Sequence, residues 1–140
     1  MPSKRVLALD IGTVRIGVAV TDPLCLFAQG VDVWPIDGWR TCFEESLAKY
    51  DPRIVLIGLP KRTTGEYGPE EAKMEELAAE LREAYPDRAF ETYDERFTTV
   101  MAQRALIEGN VSRAKRKGRV DKVAATIILQ SWLDSVSAHT

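Results

Sequence analysis

Arg5 to Asp10 reads RVLALD, Arg15 to Thr21 reads RIGVAVT, and only Ile11-Gly12-Thr13-Val14 separates the two runs. Two short apolar segments joined through a glycine are the pattern of a β-hairpin, the glycine permitting the turn. Phe27 to Trp34, with Val31 and Val33, extends the pair as a third strand. Thr41 followed by Glu44 has the spacing of a capping box, opening a helix with Phe43, Leu47 and Tyr50 on one face. Asp51-Pro52 stops that helix, and Arg53 to Leu59 (RIVLIGL) is apolar nearly throughout, as a strand covered on both faces should be.

A loop from Pro60 to Pro69, with Gly65 and Gly68, leads to a helix. In it Pro69, Glu70 and Glu71 suit the first turn, and Met74, Leu77, Ala78, Leu81 and Tyr85 recur at helical spacing. Arg88 to Tyr93 is a fifth strand. Thr98 or Thr99 caps a helix through Glu108, closed by Gly109-Asn110. A basic loop from Val111 to Arg119 leads into a last helix from about Val120 to Val136. The expectation is a three-strand meander followed by two strands reached through helices, a single mixed α/β domain over residues 1–140.

Composition removes several kinds of chemistry. The 140 residues carry a formal net charge of −2, with 45% hydrophobic and 29% charged side chains, the balance of a folded domain. No apolar run approaches the ~20 residues of a membrane span, and the start at Met1-Pro2-Ser3-Lys4 lacks a signal-peptide stretch, so no membrane association is expected. Cys25 and Cys42 cannot build a disulfide framework or a four-cysteine zinc site, and a reducing cytoplasm is the expected location. The lone histidine, His139, is penultimate, which argues against a Ser-His-Asp or Cys-His nucleophile and against multi-histidine metal sites. Carboxylates remain, 21 of them.

Asp10 closes the first strand where alternation calls for an apolar or turn residue. Asp94 and Glu95 close the fifth. Asp121 is placed in the first turn of the last helix and shares a face with Ala125, Ile128 and Trp132. That face must pack on the sheet, and sites in open sheets collect at the carboxyl edge of the strands. Three convergent carboxylates repel unless cations hold them, and an oxygen-only set suits Mg²⁺ or Mn²⁺. Such ions can activate a water and stabilise the leaving oxygen of a phosphodiester. Each residue also has a plain structural role open to it: Asp10 as a turn residue, Asp94-Glu95 as loop acids or caps, Asp121 as a partner of the helix dipole.

The run Leu9-Asp10-Ile11-Gly12-Thr13-Val14-Arg15-Ile16-Gly17-Val18-Ala19-Val20-Thr21-Asp22 resembles the opening signature of the YqgF family, also called RuvX. Gly58-Leu59-Pro60 with Gly65 and Gly68, Asp94-Glu95-Arg96-Phe97-Thr98-Thr99, and the stretch from Val111 through Val120-Asp121-Lys122 to Ile128-Leu129-Gln130-Ser131 continue the resemblance in order. Leu24 to Pro52 carries no recognisable signature, Phe97 stands where leucine is common, and Gly118 interrupts the basic run. The resemblance implies an RNase H-like fold, a five-stranded mixed sheet flanked by helices. It also implies a nuclease associated with Holliday-junction resolution or with maturation of the 5′ end of 16S ribosomal RNA. The acidic positions carried over are Asp10, Glu95 and Asp121.

Charge is unevenly distributed. Glu66 to Glu95 holds eleven acidic and three basic side chains, whereas Arg96 to Lys122 holds eight basic and two acidic. Arg113, Lys115, Arg116, Lys117, Arg119 and Lys122 precede or flank Asp121, so a phosphate backbone drawn to them would lie beside the carboxylates. Arg15 and Arg96 could add contacts, and Lys61, Arg62, Thr63 and Thr64 form a second loop at the same edge. The expected partner is nucleic acid, pre-ribosomal RNA or branched DNA, with a pre-ribosomal particle as a further expectation; monomer and homodimer both stay open. A non-catalytic nucleic-acid-binding factor is the alternative of a different class. Asp10-Ile11-Gly12-Thr13 also resembles the first phosphate loop of actin-like ATPases, but those clamp a nucleotide between two such domains.

Overall fold

A computed structural model describes residues 4–12, 14–59, 69–94 and 113–137. The strands are β1 (Val6–Ile11), β2 (Arg15–Thr21), β3 (Ala28–Pro35), β4 (Ile54–Leu59) and β5 (Ala89–Asp94). The described helices are α1 (Trp39–Tyr50), α2 (Pro69–Ala84) and α3 (Arg113–Ser137). The five strands form one sheet in the order β3-β2-β1-β4-β5. β1 pairs antiparallel with β2 and β2 with β3, whereas β4 lies parallel to β1 and to β5. The expected meander, the mixed sheet and the flanking helices are all present.

Strand alternation divides the core into two layers. Leu7, Leu9, Ile16, Val18, Val55 and Ile57 pack under α1 and α2 around Phe43, Leu47, Ala78 and Leu81. Val6, Ala8, Ala19, Ile54 and Leu56 pack under α3 against Ala124, Ala125, Ile128, Leu129 and Trp132. On the first face Phe43 is an aromatic hub, 5.4 Å from the Tyr85 ring and 5.6 Å from Trp39 between centroids. Trp34 and Trp132 are both buried, Trp132 as expected of the helix face it shares with Ala125 and Ile128.

Two helix starts differ from expectation. Helix α1 begins at Trp39, with Gly38 in the left-handed region (φ 78°) as its N-cap and no side-chain cap bond, so Thr41 lies inside the helix rather than at its mouth. Helix α3 begins at Arg113, and the segment through Arg119 is helical rather than a loop. Gly118 costs about 1 kcal/mol in a helix interior, but the arginines, lysines and Ala114 around it are good helix formers. The proposed helix from Thr98 or Thr99 to Glu108, and the loop over 60–68, lie outside the described residues. Among the described residues, no helix is long and apolar enough to cross a membrane.

The two hairpin turns are held by hydrogen bonds from backbone N–H groups. The Gly12 N–H donates to the Arg15 carbonyl at 3.0 Å, and a Cβ at Gly12 would sit 2.9 Å from that oxygen, so only glycine fits. At the β2–β3 turn the Asp22 carboxylate accepts from the N–H groups of Leu26 and Phe27, both at 2.7 Å, and of Leu24 at 3.2 Å. The bond from Phe27, with those from its neighbours, holds the Asp22 carboxyl below its ordinary value. A depressed carboxylate pKa contributes stability above the unfolded value, about 3.9, and loses it as pH falls through the folded value. Asp22→Ala should therefore lower Tm at pH 7, and the gap to wild type should close as the pH is taken below ~4; thermal melts across pH check both.

Candidate nuclease site at the carboxyl edge of the sheet

Strand β1 is apolar from Val6 to Leu9 and then places Asp10 on the α3 side of the sheet, by the parity of Val6 and Ala8. Asp10 is 8% exposed, one of the few buried charged side chains of the described core. Its partner across the antiparallel ladder is Gly17. Continuing the β1–β4 register beyond Leu9↔Ile57 brings Gly58 alongside on the other flank. Both lateral neighbours of Asp10 are thus glycines. The sequence shows both glycines, but only the pairing reveals that they flank the aspartate.

The start of α3 runs toward the Asp10 end of the sheet. α3 packs across β1, β2 and β3, its direction set by the Ala28 N–H donating to Gln130 Oε1 at 3.0 Å and by Gly30 lying against Thr126 and Lys122. Gly30 pairs with Ala19, and Ala19 with Ala8, so the Lys122–Thr126 turn stands over the row that contains Ala8. From there to Asp10, β1 advances two residues, roughly 6.6 Å. Over the same direction α3 runs one to five residues back from that turn to Asp121, roughly 1.5–7.5 Å. Asp121 is the ninth residue of α3, not part of its first turn. The helix-dipole role read for it from sequence falls away, since that effect fades within the first turn.

The third carboxylate stands differently. Along β5, Phe90 belongs to the α1 and α2 layer and Tyr93 to the α3 layer, and β5 ends at Asp94, paired with Leu59. The next residue with the parity of Tyr93 is Glu95, which with Arg96 lies outside the described residues. Among the described residues, no group of three or more His, Cys, Asp and Glu that could hold a metal ion is assembled. The acids at this edge, Asp10 and Asp121, offer oxygen donors only; the described cysteine of the α3 layer, Cys25, follows β2 at the opposite end of the sheet. That donor chemistry fits a hard divalent cation such as Mg²⁺ or Mn²⁺.

Arg15 opens β2 at the Asp10 end of the sheet and is half-buried. Arg113, Lys115, Arg116, Lys117 and Arg119 fall in the first two turns of α3, with exposed Lys122 just beyond Asp121. The basic run is therefore a helical segment leading to Asp121, a stiffer arrangement than the loop expected. Helix α2, inside the acidic stretch of the chain, lies on the other face of the sheet. Within its first turn Glu71 is fully buried, a feature the sequence does not announce.

The chain matches the family model described as RuvX, Holliday junction resolvase, over residues 4–135. It is 43% identical over 136 residues to a Clostridium perfringens protein, covering 95% of this chain and 98% of that one. It is 42% identical over 138 residues to one from Listeria monocytogenes, covering 95% and 99%. Both relatives are provisionally named pre-16S rRNA nucleases. In fold it is similar to Thermus thermophilus RuvC, solved in complex with a Holliday junction substrate (TM-score 0.57, 16% identity, 95% of each chain) and in a second structure (TM-score 0.54, 15% identity, 96% of each chain). The yeast mitochondrial Holliday junction resolvase Ydc2 shares the fold at TM-score 0.50 and 14% identity, over 94% of this chain and 78% of that one.

Asp10 is a nearly buried carboxylate, and burying an ionised group carries a desolvation cost. Asp10→Asn keeps the shape and removes the charge, so its Tm should equal or exceed that of wild type while Mn²⁺ binding weakens. Circular-dichroism melts and Mn²⁺ titration followed by electron paramagnetic resonance check the two halves. A lower Tm with unchanged Mn²⁺ binding would return Asp10 to a purely structural role.

Proposed function

The chain belongs to the RuvX family, and on that premise we propose that it is a divalent-metal-dependent nuclease that trims the 5′ end of precursor 16S ribosomal RNA. The observation that carries the reading is the nearly buried Asp10 where the apolar run of β1 ends, at the end of the sheet toward which the basic start of α3 runs. The names of the relatives favour ribosomal RNA as substrate, and a pre-ribosomal particle as the setting in which it is met. The family description and the RuvC-like fold favour a four-way DNA junction as the second reading.

Asp10, Asp121 and Glu95 are the residues assigned to hold the cation. When bound, Mg²⁺ or Mn²⁺ supplies activation of a water and stabilisation of the leaving oxygen of the phosphodiester. The protein's own contribution is positional. Asp10 is fixed by a strand buried on both faces, and Asp121 by a helix packed along its length, so the two acids are presented without reorganisation. The glycines beside Asp10 leave room for a phosphate group to approach. Arg113, Lys115, Arg116, Lys117, Arg119 and Lys122 attract the phosphate backbone, with Arg15 and Arg96 as further contacts.

Precursor 16S RNA and four-way DNA junctions, offered side by side with Mg²⁺ or Mn²⁺, test the reading and choose its substrate. Asp10→Asn, Glu95→Gln and Asp121→Asn should each abolish cleavage with the fold retained. EDTA should stop cutting yet leave much of the binding, and Ca²⁺ should support binding better than cleavage because of its longer, looser coordination. Tight binding without cleavage of any substrate under Mg²⁺ or Mn²⁺ would leave a non-catalytic binding factor.

Attraction through the helical basic segment is electrostatic and releases counterions. Neutralising Lys115, Arg116 and Lys117 together should weaken binding across sequences and lower the slope of log affinity against log salt by roughly 0.7–0.9 for every phosphate left without its cation. Fluorescence anisotropy at several salt concentrations measures it, and an unchanged slope would make the segment a solvated surface.

A further inference from the structure

Gly30 sits in β3, where a register shift between Val18 and Ala19 leaves Val31 as an extra residue on the β3 side. Bulges bend a strand, and glycine inside a strand marks a place where something comes close. Here the close element is α3. A Cβ at Gly30 would lie 2.9 Å from Thr126 Oγ1, 3.2 Å from the Lys122 carbonyl oxygen and 3.3 Å from Lys122 Cγ. Thr126 cannot easily give way: its hydroxyl donates to that same Lys122 carbonyl at 2.8 Å, and β-branching leaves it few rotamers. A back-bond of this kind also bends a helix locally. The turn so shaped begins at Lys122, next to Asp121.

The neighbours of Gly30 across the sheet, Ala19 and Ala8, are also small, as are Ala124 and Ala125 on the helix above them. Toward its other end α3 meets the sheet through the larger Ile128, Leu129, Trp132 and Leu133. The helix therefore approaches the sheet through its smallest side chains at the end toward Asp10. We infer that Gly30 is a positioning residue for the cation site: by lacking a Cβ it lets α3 settle low enough on the sheet for Asp121 to share a cation with Asp10. The inference rests on the metal-dependent nuclease reading above. Gly30 touches no substrate; it acts through the seat of the helix.

Gly30→Ala would lift the Lys122–Thr126 turn by a few tenths of an ångström or more, and residues that orient a metal ligand typically change metal affinity roughly 10–100-fold. The test compares wild type, Gly30→Ala, Thr126→Ala and the double variant, reading Mn²⁺ dissociation constants by electron paramagnetic resonance, melting temperature, and cleavage against metal concentration. The expected result is Mn²⁺ binding weakened roughly 10–100-fold in Gly30→Ala, with the metal requirement for cleavage raised in parallel. The double variant should recover part of the loss, because removing the Thr126 hydroxyl relieves the 2.9 Å contact and leaves the Lys122 carbonyl at 3.2 Å. A purely structural role would lower Tm and leave the Mn²⁺ constant unmoved, and that outcome overturns the inference. So does a double variant that binds as weakly as Gly30→Ala. If Gly30→Ala does not fold, the double variant is set against Thr126→Ala: weaker Mn²⁺ binding supports the inference, and equal binding overturns it. Wild type that binds no Mn²⁺ and cuts nothing would sink the nuclease reading itself, which a failure confined to Gly30→Ala would leave standing.

Discussion

Strand β1 is covered by α1 and α2 on one face and by α3 on the other, so its residues from Val6 to Leu9 are removed from water. Full burial of an aliphatic side chain stabilises by about 1.5–3 kcal/mol each, and a strand with β2 on one edge and β4 on the other has no ladder group left unpaired along that run. This fixes β1 more firmly than any exposed element could be fixed. Asp10 is the residue at which the apolar run ends, and it inherits that rigidity. The cost of ordering its backbone is met by its apolar neighbours during folding.

The second feature that follows from the layered fold is electrical. The acidic stretch of the chain contains α2 on one face of the sheet, and the basic stretch contains the start of α3 on the other. A net charge of −2 is thus the sum of two opposed surfaces. The basic start of α3 runs toward the end of the sheet that holds Asp10. The segment Arg113–Arg119 is one continuous helix with the part anchored in the core by Ala125, Ile128 and Trp132.

Much of this is legible in the chain alone. The glycine hairpin, the doubly apolar run of β4, the proline at the start of α2 and the spacing of Asp121 with Ala125, Ile128 and Trp132 are local patterns, and local patterns dictate local structure. The start of α1 is not legible in the same way: Thr41 and Glu44 have capping-box spacing, yet the chain turns earlier at Gly38, whose positive φ no spacing rule detects. The start of α3 is hidden for a different reason. Basic residues and a glycine look like a loop when considered without the core that holds the rest of the helix.

The sequence by itself determined which residues are strands, which acids interrupt apolar runs and where positive charge accumulates, since these depend on side chains within a few positions of one another. Only the tertiary structure decided that Gly17 and Gly58 flank Asp10, that Asp121 sits two turns into a helix running toward the Asp10 end of the sheet, and that Gly30 lies against that helix. Those relations join residues that are seven to more than one hundred positions apart. They arise from the register of a sheet and the height of a helix above it, which are fixed by packing volume and not by any neighbouring residue's preference.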